Sequence, residues 1–331
     1  MSPSLDPEAI LAILHALADG EARPPAELAV LSGVDPEAIE ASLETLADHG
    51  VRRRASGDLR VPGGIDLLSE ARLQAALASR GPVAVECILR GVTGSTNDDA
   101  RALLAERAPP FVVLAEAQRA GRGRRGRLWA SPVASNLYLS IALDAACGAR
   151  VLGGLSLAVG VAVAEAVEAE VGVALELKWP NDLLLEGRKL GGILVELVRI
   201  EEREVAIIGI GINVRQPAHV ASAIDQPWAD LASRVPAPIS RNALAAAIIA
   251  ATLRIFEIVG DGAFERVVRP RWLKRDAFAD RPVTVAGPTL RIEGVARGID
   301  GTGALLVETP EALRAIASGE VSLRARGSGS A

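Results

Sequence analysis

The stretch GRGRRGRLW, residues 121–129, sets Arg122, Arg124, Arg125 and Arg127 among Gly121, Gly123 and Gly126. Its first six residues fit the GxGxxG pattern of a dinucleotide site. That pattern requires a helix to begin at the last glycine, with its N–H groups facing a pyrophosphate. Here the chain continues as LWASPVASNLYLS, where Pro132 and the apolar alternation predict another strand. A doubly wound nucleotide-binding fold is therefore excluded. What remains is a mobile basic loop between strands. Arginine forks match carboxylate and phosphate oxygens. Glycines let the backbone approach a ligand closely. The residues alone leave open an anion site, a solvated basic loop or a nucleic-acid patch.

The chain has 331 residues and a net charge of −5, so strong positive charge in one loop is a local choice. The length predicts two or three domains. Half the residues are hydrophobic and 3% aromatic, so aliphatic side chains must build the core. The overall acidity argues against nonspecific nucleic-acid binding by the whole molecule. Cys87 and Cys147 stand far apart with no Cys/His cluster, which predicts neither zinc nor a disulfide framework. No basic-then-apolar segment opens the sequence. The longest apolar run, VLGGLSLAVGVAVA (151–164), is too short to span a bilayer. These features predict a soluble cytoplasmic protein without a membrane segment.

Helical spacing appears in 8–19, 25–33 and 35–50, followed by the alternating, turn-rich VRRRASGDLRVPGG (51–64). Three short helices and a wing resemble a winged helix-turn-helix domain. From residue 84 strands and helices mix. Strands are predicted at 85–92, 111–118, 136–143 and, in series, over 175–214. Helices are predicted at 96–108, 153–171 and 243–258. The tail from Arg281 to Arg324 reads as short strands of a small β-barrel. The expected domains are thus 1–64, 84–272 and 273–327.

Other motifs stand around the loop. GSTNDDA (94–100) puts Ser95, Thr96 and Asn97 at a helix start, either as caps or as partners of a buried polar ligand head. KWPNDLLL (178–185) ends a strand with Asn181 and Asp182. Asp182, beside Lys178, suits a structural turn, Mg²⁺ or the orientation of a phosphate. KLGGILVE (189–196) and GIGINV (209–214) put glycines inside strands, which weakens a strand unless a ligand or another group comes close.

GSTN, QRAGRGRRGRLW (118–129), KWPNDLLL, KLGGIL and GIGIN, in this order, resemble the biotin–protein ligase family. With the N-terminal helices and a C-terminal segment ending GEVSLR (319–324), the chain resembles its bifunctional members. The resemblance implies an α/β (α+β) ligase domain of the biotin/lipoate type, flanked by a winged helix and a small barrel. It implies ATP with Mg²⁺, biotin as substrate, and transfer of biotin from biotinyl-5′-adenylate to a lysine of a carrier domain on a carboxylase. By motif position it assigns the biotin head to Ser95, Thr96, Asn97 and Gln118. The biotin and adenylate loop falls to Gly121, Arg122, Gly123 and Arg124. Lys189 falls near the biotin carboxylate and α-phosphate, with Arg124 and Asp182 also catalytic. The nucleotide side takes Arg127, Trp129, Asn181, Asp182, Asn213 and Arg324, with Asp182 as the metal candidate. A homodimer, paired through strands of the 190–214 region, is implied as well.

The N-terminal segment departs from this pattern. Residues 1–60 hold eleven acidic and five basic residues, a net of −6. The third helix carries Asp35, Glu37, Glu40 and Glu44 and has no Lys or Arg before Arg52, whereas phosphate neutralisation needs the opposite sign. Operator binding is therefore set against a structural or protein-contact domain. Two other readings stand beside the ligase: a lipoate or octanoate ligase of the same fold, and a biotin sensor that binds DNA without catalysis.

Overall fold

The computed structural model describes residues 6–81, 83–145, 152–221, 224, 226–286, 291–317 and 322–325. Cys147 lies outside them. Four short helices open the chain. The first, α1 (Pro7–Ala16), starts where Asp6 accepts a hydrogen bond from the Ala9 N–H at 2.8 Å. α2 (Pro25–Ser32) stops at Gly33, whose φ of 70° is left-handed. α3 (Pro36–Ala41) and α4 (Leu43–Asp48) replace the single helix expected over 35–50. The break is at Ser42, a weak helix former whose φ of −107° and ψ of 9° leave the helical region. β1 (Arg52–Arg53) pairs antiparallel with β2 (Leu59–Arg60). Ile13, Leu14, Leu28, Ile39, Leu46 and Leu59 form a separate core beneath these elements.

α5 (Glu70–Ala78), which the sequence reading passed over, leads into the main sheet. The chain then runs through β3 (Glu86–Thr93), α6 (Thr96–Leu103), β4 (Phe111–Gln118), β5 (Leu137–Asp144) and α7 (Leu152–Val171). β6 (Glu176–Lys178), β7 (Asp182–Leu185), β8 (Arg188–Ile200) and β9 (Arg203–Ile212) follow. The seven strands are ordered β3-β4-β5-β9-β8-β7-β6. Only β3 and β4 run parallel. β4 lies inside the sheet, and seven of its eight residues are buried, which is why FVVLAEAQ reads as a nearly unbroken apolar run.

α8 (Ala218–Ala221), α9 (Arg241–Gly260) and α10 (Arg269–Leu273) come next. α9 is long and apolar enough to cross a membrane by length and composition. Here its Leu244, Ile248, Ile249 and Ile255 are buried in the core it shares with α7 and the sheet. Strands β10 (Pro282–Ala286), β11 (Arg291–Ile299), β12 (Leu305–Glu308), β13 (Leu313–Ile316) and β14 (Ser322–Ala325) form a second, antiparallel sheet ordered β13-β12-β11-β10-β14. Among the described residues no ladder joins β13 to β14. The buried Trp179 indole N–H donates to the Gly303 carbonyl at 3.1 Å and ties the two sheets together.

The main sheet's two faces differ. α7 and α9 cover one, over Leu137, Leu139, Ile208, Ile210 and Ile193. α6 covers only part of the other, over Phe111, Val113, Ala142 and Ile207. Beside the start of α6, one cross-strand row runs Asp182, Gly192, Gly211, Tyr138. The adjacent row on the same face runs Leu194, Gly209, Ser140. Three glycines therefore leave a trough where side chains would otherwise stand.

Candidate functional site

The trough is lined from the α6 start, the Arg/Gly loop, and the β7–β8 hairpin. Ser95 occupies the N-cap position of α6, but its side chain makes no capping bond, so the capping alternative does not describe it. Thr96 and Asn97 are buried beside it. Gln118 Oε1 accepts from the Thr96 N–H at 2.9 Å and from its hydroxyl at 3.2 Å. The Gln118 amide donates to Ser131 Oγ at 2.9 Å, which braces the far side of the loop. Asn97 Nδ2 donates to Glu196 Oε2 at 2.6 Å, and Arg101 pairs with the other Glu196 oxygen at 3.2 Å. Ser140 Oγ stands 2.7 Å from Thr96 Oγ1 and 2.6 Å from Asn97 Oδ1.

Glycine explains how these groups fit. A Cβ on Gly209 would lie 2.4 Å from Asn97 Oδ1. A Cβ on Gly211 would lie 2.8 Å from the Trp129 ring. No side chain other than hydrogen allows either approach.

The loop is folded over this face. Residues 124–126 make one tight turn with Arg125 in the left-handed region, and no α-helix starts at Gly126. Trp129 N–H donates to the Gly121 carbonyl at 2.8 Å and closes the base of the loop. Arg122 forms a two-pronged pair with Asp98, at 2.7 and 2.5 Å. That guanidinium holds the Asp98 carboxyl below its usual range. Partial burial, then neighbouring Arg125, pushes the Arg124 guanidinium down, while Asp182 opposes the shift. Arg127 stands exposed on the loop.

At the trough's other wall, Lys189 Nζ lies 2.7 Å from Asp182 Oδ1 and 5.6 Å from the centre of the Trp129 ring. Lys178 Nζ approaches the second Asp182 oxygen at 3.7 Å. The Trp129 indole N–H is buried and has no hydrogen-bond partner among the described residues. Asn181 Nδ2 donates to the Ile193 carbonyl at 2.7 Å, and Asn213 Nδ2 to the Ala229 carbonyl at 3.0 Å. Both brace backbone at the trough's rim. Arg324 pairs through its backbone with Thr284, and its side chain lies outside the described residues.

The structure therefore gathers Thr96, Asn97, Gln118, Gly121, Arg122, Trp129, Asp182 and Lys189 around one trough. Arg124 joins them through its electrostatic link to Asp182. Among the described residues no group of three or more His, Cys, Asp or Glu is placed to hold a metal ion. Asp182 already faces two ammonium groups. The sequence reading did not single out Ser140 or Glu196. It also missed Glu116 and Arg241, a buried ion pair at 2.7 Å. Arg241 donates as well to the Asp66 carbonyl at 2.6 Å, and Leu68 N–H donates to Glu116 at 2.5 Å. That knot fastens the segment after β2 to β4. A carboxylate within an otherwise apolar strand was the available signal for Glu116.

Residues 91–213 match the biotin/lipoate A/B protein ligase family, and residues 279–324 the biotin protein ligase C terminal domain. The chain is 38% identical over 268 residues to the bifunctional ligase/repressor BirA of Salmonella typhimurium, covering 80% of this chain and 81% of that protein. It is 33% identical over 252 residues to the biotin–[acetyl-CoA-carboxylase] ligase of Mycobacterium tuberculosis, covering 69% and 85% respectively. The biotin protein ligase from Aquifex aeolicus, solved with biotin and ATP, superposes with a TM-score of 0.63 at 26% identity, covering 72% of this chain and 99% of that one. The chain belongs to the biotin protein ligase family.

Proposed function

We propose that this protein joins biotin to ATP, forming biotinyl-5′-adenylate and pyrophosphate, and then passes biotin to one lysine of a carboxylase's biotin carboxyl carrier domain. The carrying observation is the glycine-floored trough, with Arg122 and Arg124 at its lid and Lys189 at its wall. The first reaction brings a carboxylate onto a phosphate, and both are negative. Lysine and arginine side chains offset that repulsion and stabilise charge as it grows. Thr96, Asn97 and Gln118, with Ser95, supply polar partners for a ureido head, while the loop shields a hydrolysis-prone anhydride from water. Asp182 orients Lys189. Asn181, Asn213, Arg127, Trp129 and Arg324 belong to the nucleotide side. Mg²⁺ is best read as arriving with the triphosphate, because Asp182 is already paired with lysine. The need for ATP goes with a cytoplasmic setting.

Mass spectrometry after incubation with MgATP and biotin, and in parallel with lipoate and octanoate, tests this reading. An adenylate from biotin alone supports it. An adenylate from either other acid moves the protein to the neighbouring ligases, and none at all removes the enzymatic reading.

A repressor role is a second reading, favoured by the extent of the match to a bifunctional ligase/repressor. It assigns 1–64 as a winged helix-turn-helix, 84–272 as the ligase domain, 273–327 as a small barrel, and a ligand-bound homodimer on operator DNA. Against it, Glu37, Glu40 and Glu44 are exposed on α3 and α4, and Arg53 of the wing is paired with Glu40. An electrophoretic shift with operator-length duplexes, with and without biotin, decides between these.

A further inference from the structure

The Arg/Gly loop is a short hairpin. Arg119 and Ala120 enter it with their N–H groups donating to the Thr93 and Gly94 carbonyls, both at 2.8 Å. Trp129 N–H and Gly123 N–H then close it by donating to the Gly121 and Arg127 carbonyls, at 2.8 and 2.7 Å. A Cβ on Gly121 would lie 2.7 Å from Ser131 Oγ and 2.8 Å from the Trp129 carbonyl oxygen, so the base is pinned. Past that base the hairpin projects as a flap, with Arg125, Arg127 and Leu128 exposed. A two-stranded hairpin is marginal by itself and needs an anchor to stay on one face.

Arg122 supplies one. Its guanidinium reaches out of the hairpin to both oxygens of Asp98, at 2.7 and 2.5 Å. Two parallel bonds fix direction as well as distance. Asp98 is a rigid partner. It lies in the first turn of α6, where the helix N-terminus favours a carboxylate. The next residue, Asp99, accepts from the Thr93 hydroxyl at 2.6 Å and ties the same turn to β3. The two inner loop arginines therefore face different ends of the trough. The acidic groups acting on Arg122 are Asp98 and Glu196, beside the head of α6. Arg124 feels Asp182, which is paired with Lys189.

We propose that Asp98 is a positioning residue that latches Arg122 to the head of α6, and so holds the Arg/Gly flap over the trough before biotin arrives. Arg122 then serves the reaction as the other half of the latch and not as a ligand of the reacting anion. What the flap encloses rests on the biotin reading above. The pair is partly exposed, so it shifts the balance of shut over open by only about fivefold. A latch of that strength still lets substrate enter and product leave.

The full chain is compared with Asp98→Asn, Asp98→Glu, Arg122→Asp and the swapped pair Asp98→Arg/Arg122→Asp. Hydrogen exchange at the Gly123 and Trp129 amides is followed without ligand. Single-turnover adenylate formation, release of biotinyl-adenylate into solution and thermal unfolding are measured in parallel. Asp98→Asn is expected to speed exchange at both amides, and release of the adenylate, about fivefold each. Exchange at the Leu68 amide and the unfolding temperature should not move. Asp98→Glu keeps the carboxylate and should keep most of the protection. Arg122→Asp sets two carboxylates together and should be the worst of the set. The swapped pair should bring exchange, release and adenylate formation back towards wild type, less the small cost of an arginine at a helix N-terminus. Exchange left unchanged by Asp98→Asn overturns the proposal. So does a swapped protein that regains protection but forms adenylate as slowly as Arg122→Asp, because Arg122 is then a ligand of the anion. If the swapped protein does not fold, equal loss of protection in Asp98→Asn and Asp98→Glu overturns it instead. Wild-type protein inert towards biotin removes the functional reading beneath, and the exchange data still decide whether Asp98 holds the flap.

Discussion

Lys189 Nζ and Asp182 Oδ1 lie 2.7 Å apart, joining β8 to β7 at the trough wall. The pair is partly buried, and Lys178 adds a second positive charge beside the same carboxylate. In this account Lys189 is held for an incoming anion. Lys189→Gln should lower kcat for adenylate formation by about 10²–10³-fold, the cost of removing one positioned charge-stabilising donor. Asp182→Asn should lower it less, because the lysine stays but is no longer aimed. Pyrophosphate release measured on each variant checks both expectations.

Gly211→Ala places a methyl group 2.8 Å from the Trp129 ring. The ring must move, and overpacking of this kind costs about 1–3 kcal/mol. Binding on the nucleotide side should weaken by roughly tenfold or more, with little change in overall fold. Titration with ATP, followed by tryptophan fluorescence, reads both the displaced ring and the lost affinity.

Glu116 and Arg241 are each about 5% exposed or less and face one another at 2.7 Å. Removing one partner leaves a buried charge uncompensated, which costs about 3–5 kcal/mol. Glu116→Ala should therefore lower stability by that amount in urea unfolding. It should also loosen residues 66–68, which hydrogen exchange would show as faster exchange at the Leu68 amide. Unchanged exchange there would separate the ion pair from the fastening of that segment.

Burial pushes the Asp276 carboxyl up to about 6 from an ordinary value near 3.8, and nearby Asp280 adds to the rise. Between those two values the folded state holds more protons than the unfolded one, so stability falls as pH rises from about 4 to 6 and then levels off. Its Oδ2 atom has no hydrogen-bond partner among the described residues. Asp276→Asn should therefore stabilise the protein at pH 8 by about 1–3 kcal/mol and make no difference near pH 4. Unfolding curves across that range measure it.

Local pattern was enough for much of the fold. FVVLAEAQ matched β4 end to end because a strand with both faces covered is apolar throughout. The third N-terminal helix was harder, because Ser42 interrupts an otherwise continuous helical period. α5 was passed over because only Leu73 and Leu77 mark its buried face. The glycines of GIGIN announced close approach, but not that Asn97 meets Gly209 while Trp129 meets Gly211. Pairing is the missing information. Asn97 and Glu196 are 99 positions apart, and Glu116 and Arg241 are 125 apart. No periodicity connects residues at such separations. The motif residues were legible, whereas the groups that hold them were not.

On this reading one trough both activates biotin and releases it to a lysine. The most direct measurement incubates the protein with MgATP, biotin and a purified carboxylase carrier domain, then maps modified lysines by peptide mass spectrometry. Biotin is expected on a single carrier lysine, absent when ATP is omitted and strongly reduced with Lys189→Gln. An unmodified carrier in the presence of accumulated biotinyl-adenylate would contradict it, as would full transfer by Lys189→Gln.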